Sequence, residues 1–133
     1  MEQRPEEAPA GWTADELARI GDAEELELAS RRGDGTLRRY VTIWAVRAGD
    51  QLFVRSAHGR DNPWFRRAVA SGEGRIRAGG VERDVRFERP EPEAHTAVDA
   101  AYHAKYDRHG AEYVGAVTGP DGPETTLRLV PTE

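Results

Sequence analysis

Cysteine is absent from the 133 residues. That removes disulfides, thiolate zinc sites, cysteine-ligated clusters and a cysteine nucleophile from the possible chemistry. Lysine is nearly absent: Lys105 stands alone among eighteen arginines. No apolar run approaches the roughly 20 residues of a membrane-spanning helix. The opening segment "MEQRPEEAPAG" is acidic and has no apolar stretch, so it does not read as a secretory signal. It reads as a disordered lead-in over residues 1–11, followed by a single domain over 12–133 and a cytoplasmic location. The four histidines, His58, His95, His103 and His109, form no i, i+4 pair and no HExxH motif, and no serine lies in a GxSxG context. Nothing therefore points to a metal site or a serine hydrolase.

Three Trp, four Tyr and three Phe argue for a packed core rather than global disorder. Net charge is −5, but it is segregated. Residues 1–30 carry two basic and nine acidic groups, residues 31–89 fourteen and seven, and residues 90–133 three and eight. A basic middle within an acidic whole suggests a local anion site rather than a face for duplex nucleic acid. Abundant Ala and Gly beside so much Arg are the mark of a GC-rich genome, so arginine number alone is weak evidence of anion binding.

The stretch "WTADELARIG" predicts a short helix capped by Thr13 with Glu16 at the reciprocal position. "EELELAS" alternates as a half-exposed strand, and "RRGDG" turns the chain into "TLRRYVTIWAVRAG". The centre of that segment, Tyr40 to Val46, is apolar on both faces and predicts a strand buried on both sides. "QLFVRS" follows as a strand, then a helix opened by Asn62 and Pro63. "GRIRAGGVERDVRFERP" is a hairpin about Gly79-Gly80, with Arg83 interrupting an apolar row as a residue at the sheet's rim would. A helix over residues 92–109 and a final strand "TTLRLVP" complete the order α-β-β-β-α-β-β-α-β. Hairpin-linked strands with inserted helices predict an α+β, mainly antiparallel barrel with helices at its rim.

The stretch "LFVRSAHGRDNPWFRRAV" concentrates the polar chemistry. Arg55 and Ser56 end a strand, Arg60 and His58 lie in the loop, and a helix N-terminus follows. Forked guanidinium donors, a hydroxyl and free helix N–H groups together suit a phosphate. Asp61 opposes that reading unless it pairs with Arg60. Trp64 is placed to border a planar ligand and Phe65 to anchor the core, while Arg66 and Arg67 read as solvent-facing or paired with acids. Trp44 reads as core. Asp99, Tyr102 and Tyr106 share one helical face, either packing on the barrel or, for the tyrosines, facing a substrate.

The segments "VTIWAVRAGDQLFVRSAHGRDNPWFRRAV", "GRIRAGGVERDVRFE", "VDAAYHAKYD" and "TTLRLVP" resemble the family catalogued as domain of unknown function 2255. That family is similar, more distantly, to the split-barrel flavin-binding proteins of pyridoxamine-phosphate-oxidase and deazaflavin-dependent nitroreductase type. The resemblance implies a six-stranded Greek-key barrel holding FMN or a deazaflavin cofactor, with the cofactor phosphate gripped at the corner of Arg55, Ser56 and Arg60. It also implies that one arginine of the preceding strand, Arg38 or Arg39, reaches the cofactor; Arg39 is carried among the candidates with Trp64 and His58. The expected activity is hydride transfer to a small unknown substrate, with Tyr102 or Tyr106 facing it, in a homodimer. The alternatives are a non-enzymatic cofactor- or haem-binding module and a cofactor-less barrel acting as an interaction domain. The last would show corner arginines engaged in internal ion pairs and no cavity beside Ser56.

Overall fold

The computed structural model describes residues 11–56, 61–118 and 123–132. Residues 1–10 of the expected lead-in over 1–11, and the loop containing His58 and Arg60, lie outside them. The first helix, α1 (Ala14–Asp22), begins with both halves of the capping box: Glu16 N donates to Thr13 Oγ1 at 3.1 Å and Thr13 N to Glu16 Oε1 at 3.0 Å. Leu17 and Ile20 form its buried face.

The strands are β1 (Leu26–Ser30), β2 (Val41–Ile43), β3 (Ala45–Ala48), β4 (Gln51–Arg55), β5 (Glu73–Ala78), β6 (Val81–Glu88) and β7 (Thr126–Pro131). The helices α2 (Pro63–Ser71), α3 (Ala94–Tyr106) and α4 (Ala111–Thr118) fill the longer connections. The sheet runs β2-β1-β5-β6-β7-β4-β3, with every neighbouring pair antiparallel.

Seven strands replace the six expected from the resemblance, and the reason is local. β2 and β3 are one stretch of chain divided at Trp44. Its first half pairs with β1, Leu26 opposite Ile43, and its second half with β4, Ala45 opposite Val54. These halves are the two ends of the sheet, so the chain itself crosses the seam and brings the sheet to a nearly closed barrel. A bend that lets one strand serve two partners is how barrel corners are made. The expectation of burial on both sides from Tyr40 onward is corrected by the same feature. Only Ala45 and Val46 are fully buried, whereas Thr42 is exposed and Tyr40 precedes the strand, its ring lying under Arg77 at 3.8 Å.

Two cores flank the sheet. Leu52 and Val54 of β4 join Leu26, Leu28, Ile76, Val85, Phe87, Leu127 and Leu129 in the first, closed by Trp12, Leu17 and Ile20 and by Trp64 and Phe65 of α2. Phe53, one residue out of phase, joins Val46 in the second, against Val98, Tyr102 and Tyr106 of α3 and Val114 and Val117 of α4. The period-2 alternation of "QLFVR" thus supplies both cores from one strand. The β5–β6 turn has both glycines at positive φ, +58° and +84°. A Cβ on Gly79 would stand 2.3 Å from the Arg19 carbonyl oxygen, so the turn also needs a glycine to lie against α1. Arg83 reaches the rim: its guanidinium donates to Glu16 at 2.7 Å and to the Thr132 carbonyl at 3.3 Å. Helix α4 is an element absent from the expected order, which ended the helical region before Gly110 (φ +111°).

Candidate functional site

Strand β4 delivers Arg55 and Ser56 to the corner, and α2 leaves it with Pro63 in its first turn. Asn62 is the N-cap of α2, but its side chain makes no capping bond to the helix's first N–H groups.

Arg55 does not point into a cleft. Its side chain is fully buried and its donors are directed inward. Nε donates to Thr126 Oγ1 at 2.7 Å, and Nη1 donates to the Asp99 carboxylate and to the Val117 carbonyl, the latter at 2.9 Å. Nη2 lies 3.5 Å from His95 Nδ1, and the guanidinium is 5.8 Å from the Tyr102 ring centroid. One arginine thereby ties the strand end to α3, α4 and β7. Ser56 is buried beside it, its backbone N–H donating to Thr125 O at 3.3 Å. Trp64 packs edge-on against Phe65 in the first core and is only 9% exposed.

The tyrosines are likewise inside. Tyr106 Oη donates to the Glu24 carbonyl at 2.8 Å and accepts from Ala45 N–H at 3.3 Å, and its ring stacks on Trp44 with centroids 4.0 Å apart. Tyr102 is completely buried, and among the described residues its Oη has no hydrogen-bond partner. Burial raises the ordinary phenol pKa of both.

The basic chemistry gathers next to the corner instead. An open cleft of about 940 Å³ lies between the β1–β2 connection, which brings Arg31, Arg32 and Arg38, and α2, which brings Pro63, Arg66 and Arg67; Glu73 is the acid on its wall. Arg31 is spent on Asp84 at 3.0 Å and Gly35 O at 2.7 Å, and Arg32 on Leu37 O at 2.9 Å. Arg38, Arg66 and Arg67 have no ion pair with any described residue. Consecutive residues of an extended chain face opposite ways, and it is Arg38 that lines the cleft while Arg39 stands exposed outside it. Arg66 and Arg67 carried no site reading in the sequence. They acquire one because the β1–β2 connection, thirty residues earlier, folds against α2, a juxtaposition that spacing does not encode. Unpaired guanidinium groups beside a helix N-terminus form a donor set for a phosphate or a multiply charged carboxylate. The remaining histidines are engaged elsewhere, His103 with Asp107 at 2.8 Å and His109 with Glu24.

A nearly closed antiparallel sheet, bridged at its seam by one bent strand and flanked by α3 and α4 on one side, defines a split barrel. Solved structures share this fold. An F420 reductase matches with a TM-score of 0.57 and 18% identity over 87% of this chain and 92% of its own. A Listeria innocua protein assigned as a pyridoxamine 5'-phosphate oxidase matches with a TM-score of 0.57 and 16% identity, over 88% and 90%. A conserved hypothetical protein from Mycobacterium tuberculosis matches with 0.54 and 14%, over 98% and 84%. No curated protein sequence matches the chain. Within this fold the chain belongs to the family described as "Uncharacterized protein conserved in bacteria (DUF2255)", which matches residues 16–129.

Proposed function

We propose that this protein binds a phosphorylated flavin-type cofactor, FMN or a deazaflavin, and acts as an oxidoreductase on a small substrate. The observation that carries the reading is the trio Arg38, Arg66 and Arg67, which lack acidic partners among the described residues and line a cleft beside the corner. The names of an F420 reductase and a pyridoxamine-phosphate-oxidase-type protein among the structural neighbours support the cofactor class. The cleft's volume lies at the upper end of the usual range for small-molecule sites. Its donor chemistry fits the anionic end of such a cofactor. Arg38, Arg66 and Arg67 would hold that end with the loop residues His58 and Arg60, and α2 would add its N–H groups. Arg55 and Ser56 act behind them, fixing the corner from which the loop departs. The bound cofactor would supply hydride chemistry. Among the described cleft-lining residues there is no aromatic wall for a planar ring, which favours a homodimer in which a second copy covers it. A cytoplasmic location accords with the cysteine-free composition.

The test is titration of the purified protein with FMN and with a deazaflavin cofactor, followed by fluorescence. Micromolar binding is expected, weakened by about 100-fold or more in an Arg66→Ala, Arg67→Ala double variant, because charge-assisted hydrogen bonds contribute about 1.5–3 kcal/mol each. Absence of binding to either cofactor by a folded protein would overturn the proposal.

A second reading has its own observation. Arg55 is consumed by Asp99, His95, Thr126 and Val117, as expected of a barrel that carries no cofactor and serves as an interaction domain. The same titration separates the two.

A further inference from the structure

Lys105 is the chain's one lysine, and it faces a second, smaller cleft. Leu17, Gly21 and Asp22 of α1, Val46 and Arg47 of β3, and Ala101 and Ala104 of α3 enclose about 320 Å³ with it. Its Nζ donates to the Ala45 carbonyl at 2.7 Å and lies 5.1 Å from the Tyr106 ring centroid. Burial between these walls brings the amine down from 10.5 to about 8, against the attraction of Glu24 and Asp22 and with the help of Arg108. The remaining charged group on the wall, Arg47, is held by a bond from Nε to Gly49 O at 2.8 Å. An arginine at position 105 could keep the bond to Ala45 O but would never offer a lone pair. A neutral lysine amine can keep one N–H on that carbonyl and still have a lone pair free to react.

We propose that Lys105 is a covalent docking point for a small aldehyde or ketone held in the cleft between α1, β3 and α3. The amine nitrogen attacks the carbonyl carbon, a C–N bond forms, and the C=O π pair moves to oxygen. A proton passes from nitrogen to that oxygen, with the Asp22 carboxylate on the cleft wall available to carry it. Loss of the hydroxyl as water, taking one more proton, leaves an imine. No oxidant or reductant is consumed. The protonated imine retains one N–H, which the Ala45 carbonyl accepts, and the Asp22 and Glu24 carboxylates favour its positive charge. The inference is independent of the arginine cleft and of any cofactor bound there.

The test uses butanal with cyanoborohydride as the trapping reductant, read by intact mass and peptide mapping. The chain has two amines, Lys105 and the α-amino group, so the second is an internal control. The expected result is alkylation of Lys105 with a midpoint near pH 8, saturating with butanal. At pH 7.5 it should be at least about tenfold faster than for Nα-acetyl-lysine amide, whose amine titrates near 10.4. Lys105→Arg should abolish that adduct and leave the α-amino adduct unchanged. Ala104→Leu, at an exposed position on the cleft, should slow Lys105 alone, with circular dichroism confirming the fold. A Lys105 rate equal to that of the free amide, a linear dependence on butanal, or indifference to Ala104→Leu would each overturn the proposal.

Discussion

Arg55 shows how far a residue's role depends on what surrounds it. Its position at the end of a strand and before a polar segment was legible. Its actual partners come from residues forty to seventy positions away, Asp99, Val117 and Thr126, and no local pattern announces them. The buried guanidinium depends on Asp99, the carboxylate that answers its charge. Asp99→Asn is expected to lower stability by about 1–3 kcal/mol, because it weakens a charge-assisted bond to a buried donor. The urea midpoint reads the effect, and an unchanged midpoint would mean that Thr126 and Val117 suffice. Lys105 gives a pH signature of the opposite kind. Its folded pKa is depressed to about 8 from 10.5, so the unfolded chain binds more protons between those values. Stability contributed at this site therefore rises with pH from about 8 toward 10.5, and below 8 the full cost of burying the charge is present. Lys105→Met should flatten that rise between pH 8 and 10 in denaturation series. An identical slope in the variant would place the rise elsewhere.

At the scale of elements, the local signals were strong wherever the chain makes its own decisions. The capping box of Thr13 and Glu16, the Gly79-Gly80 turn and the alternation of β6 all stand as the residues imply. The misses are tertiary. Helix α4 follows Gly110, a residue that stops one helix without preventing the next from starting. The arginine cleft needs α2 and the β1–β2 connection to meet, which residue spacing does not encode. The Gly79 turn is sensitive to a single change. Gly79→Val places a branched side chain at a positive φ and its Cβ against the Arg19 carbonyl. The left-handed backbone alone costs about 1–2 kcal/mol, so the total should exceed about 2 kcal/mol. A calorimetric Tm within a degree of the parent would show that α1 can step aside.

The molecule as a whole is organised by the seam at Trp44. The antiparallel barrel was foreseeable from the hairpins, but the division of one strand between two partners was not. β-branched and aromatic residues on either side of Trp44 look alike, and only barrel closure distinguishes them. Tyr106 braces the break by accepting from Ala45 N–H and donating to Glu24 O across it. Tyr106→Phe keeps the stack on Trp44 while leaving these groups short of a partner, a cost of about 1–3 kcal/mol. Hydrogen exchange should quicken at Ala45 and along the β1–β2 pairing; unchanged protection there would mean that the seam is held by stacking alone.

The place of β7 has a consequence for biosynthesis. It follows every other strand in the sequence, yet it lies between β6 and β4. A ribosome that has not passed Thr126 therefore holds a slotted barrel, with the edges of β4 and β6 unpaired and the first core lacking Leu127 and Leu129. Nascent chains arrested before that point should bind an apolar dye or a general chaperone, and chains released past Pro131 should not. Equal binding by both would mean that the slot is already closed.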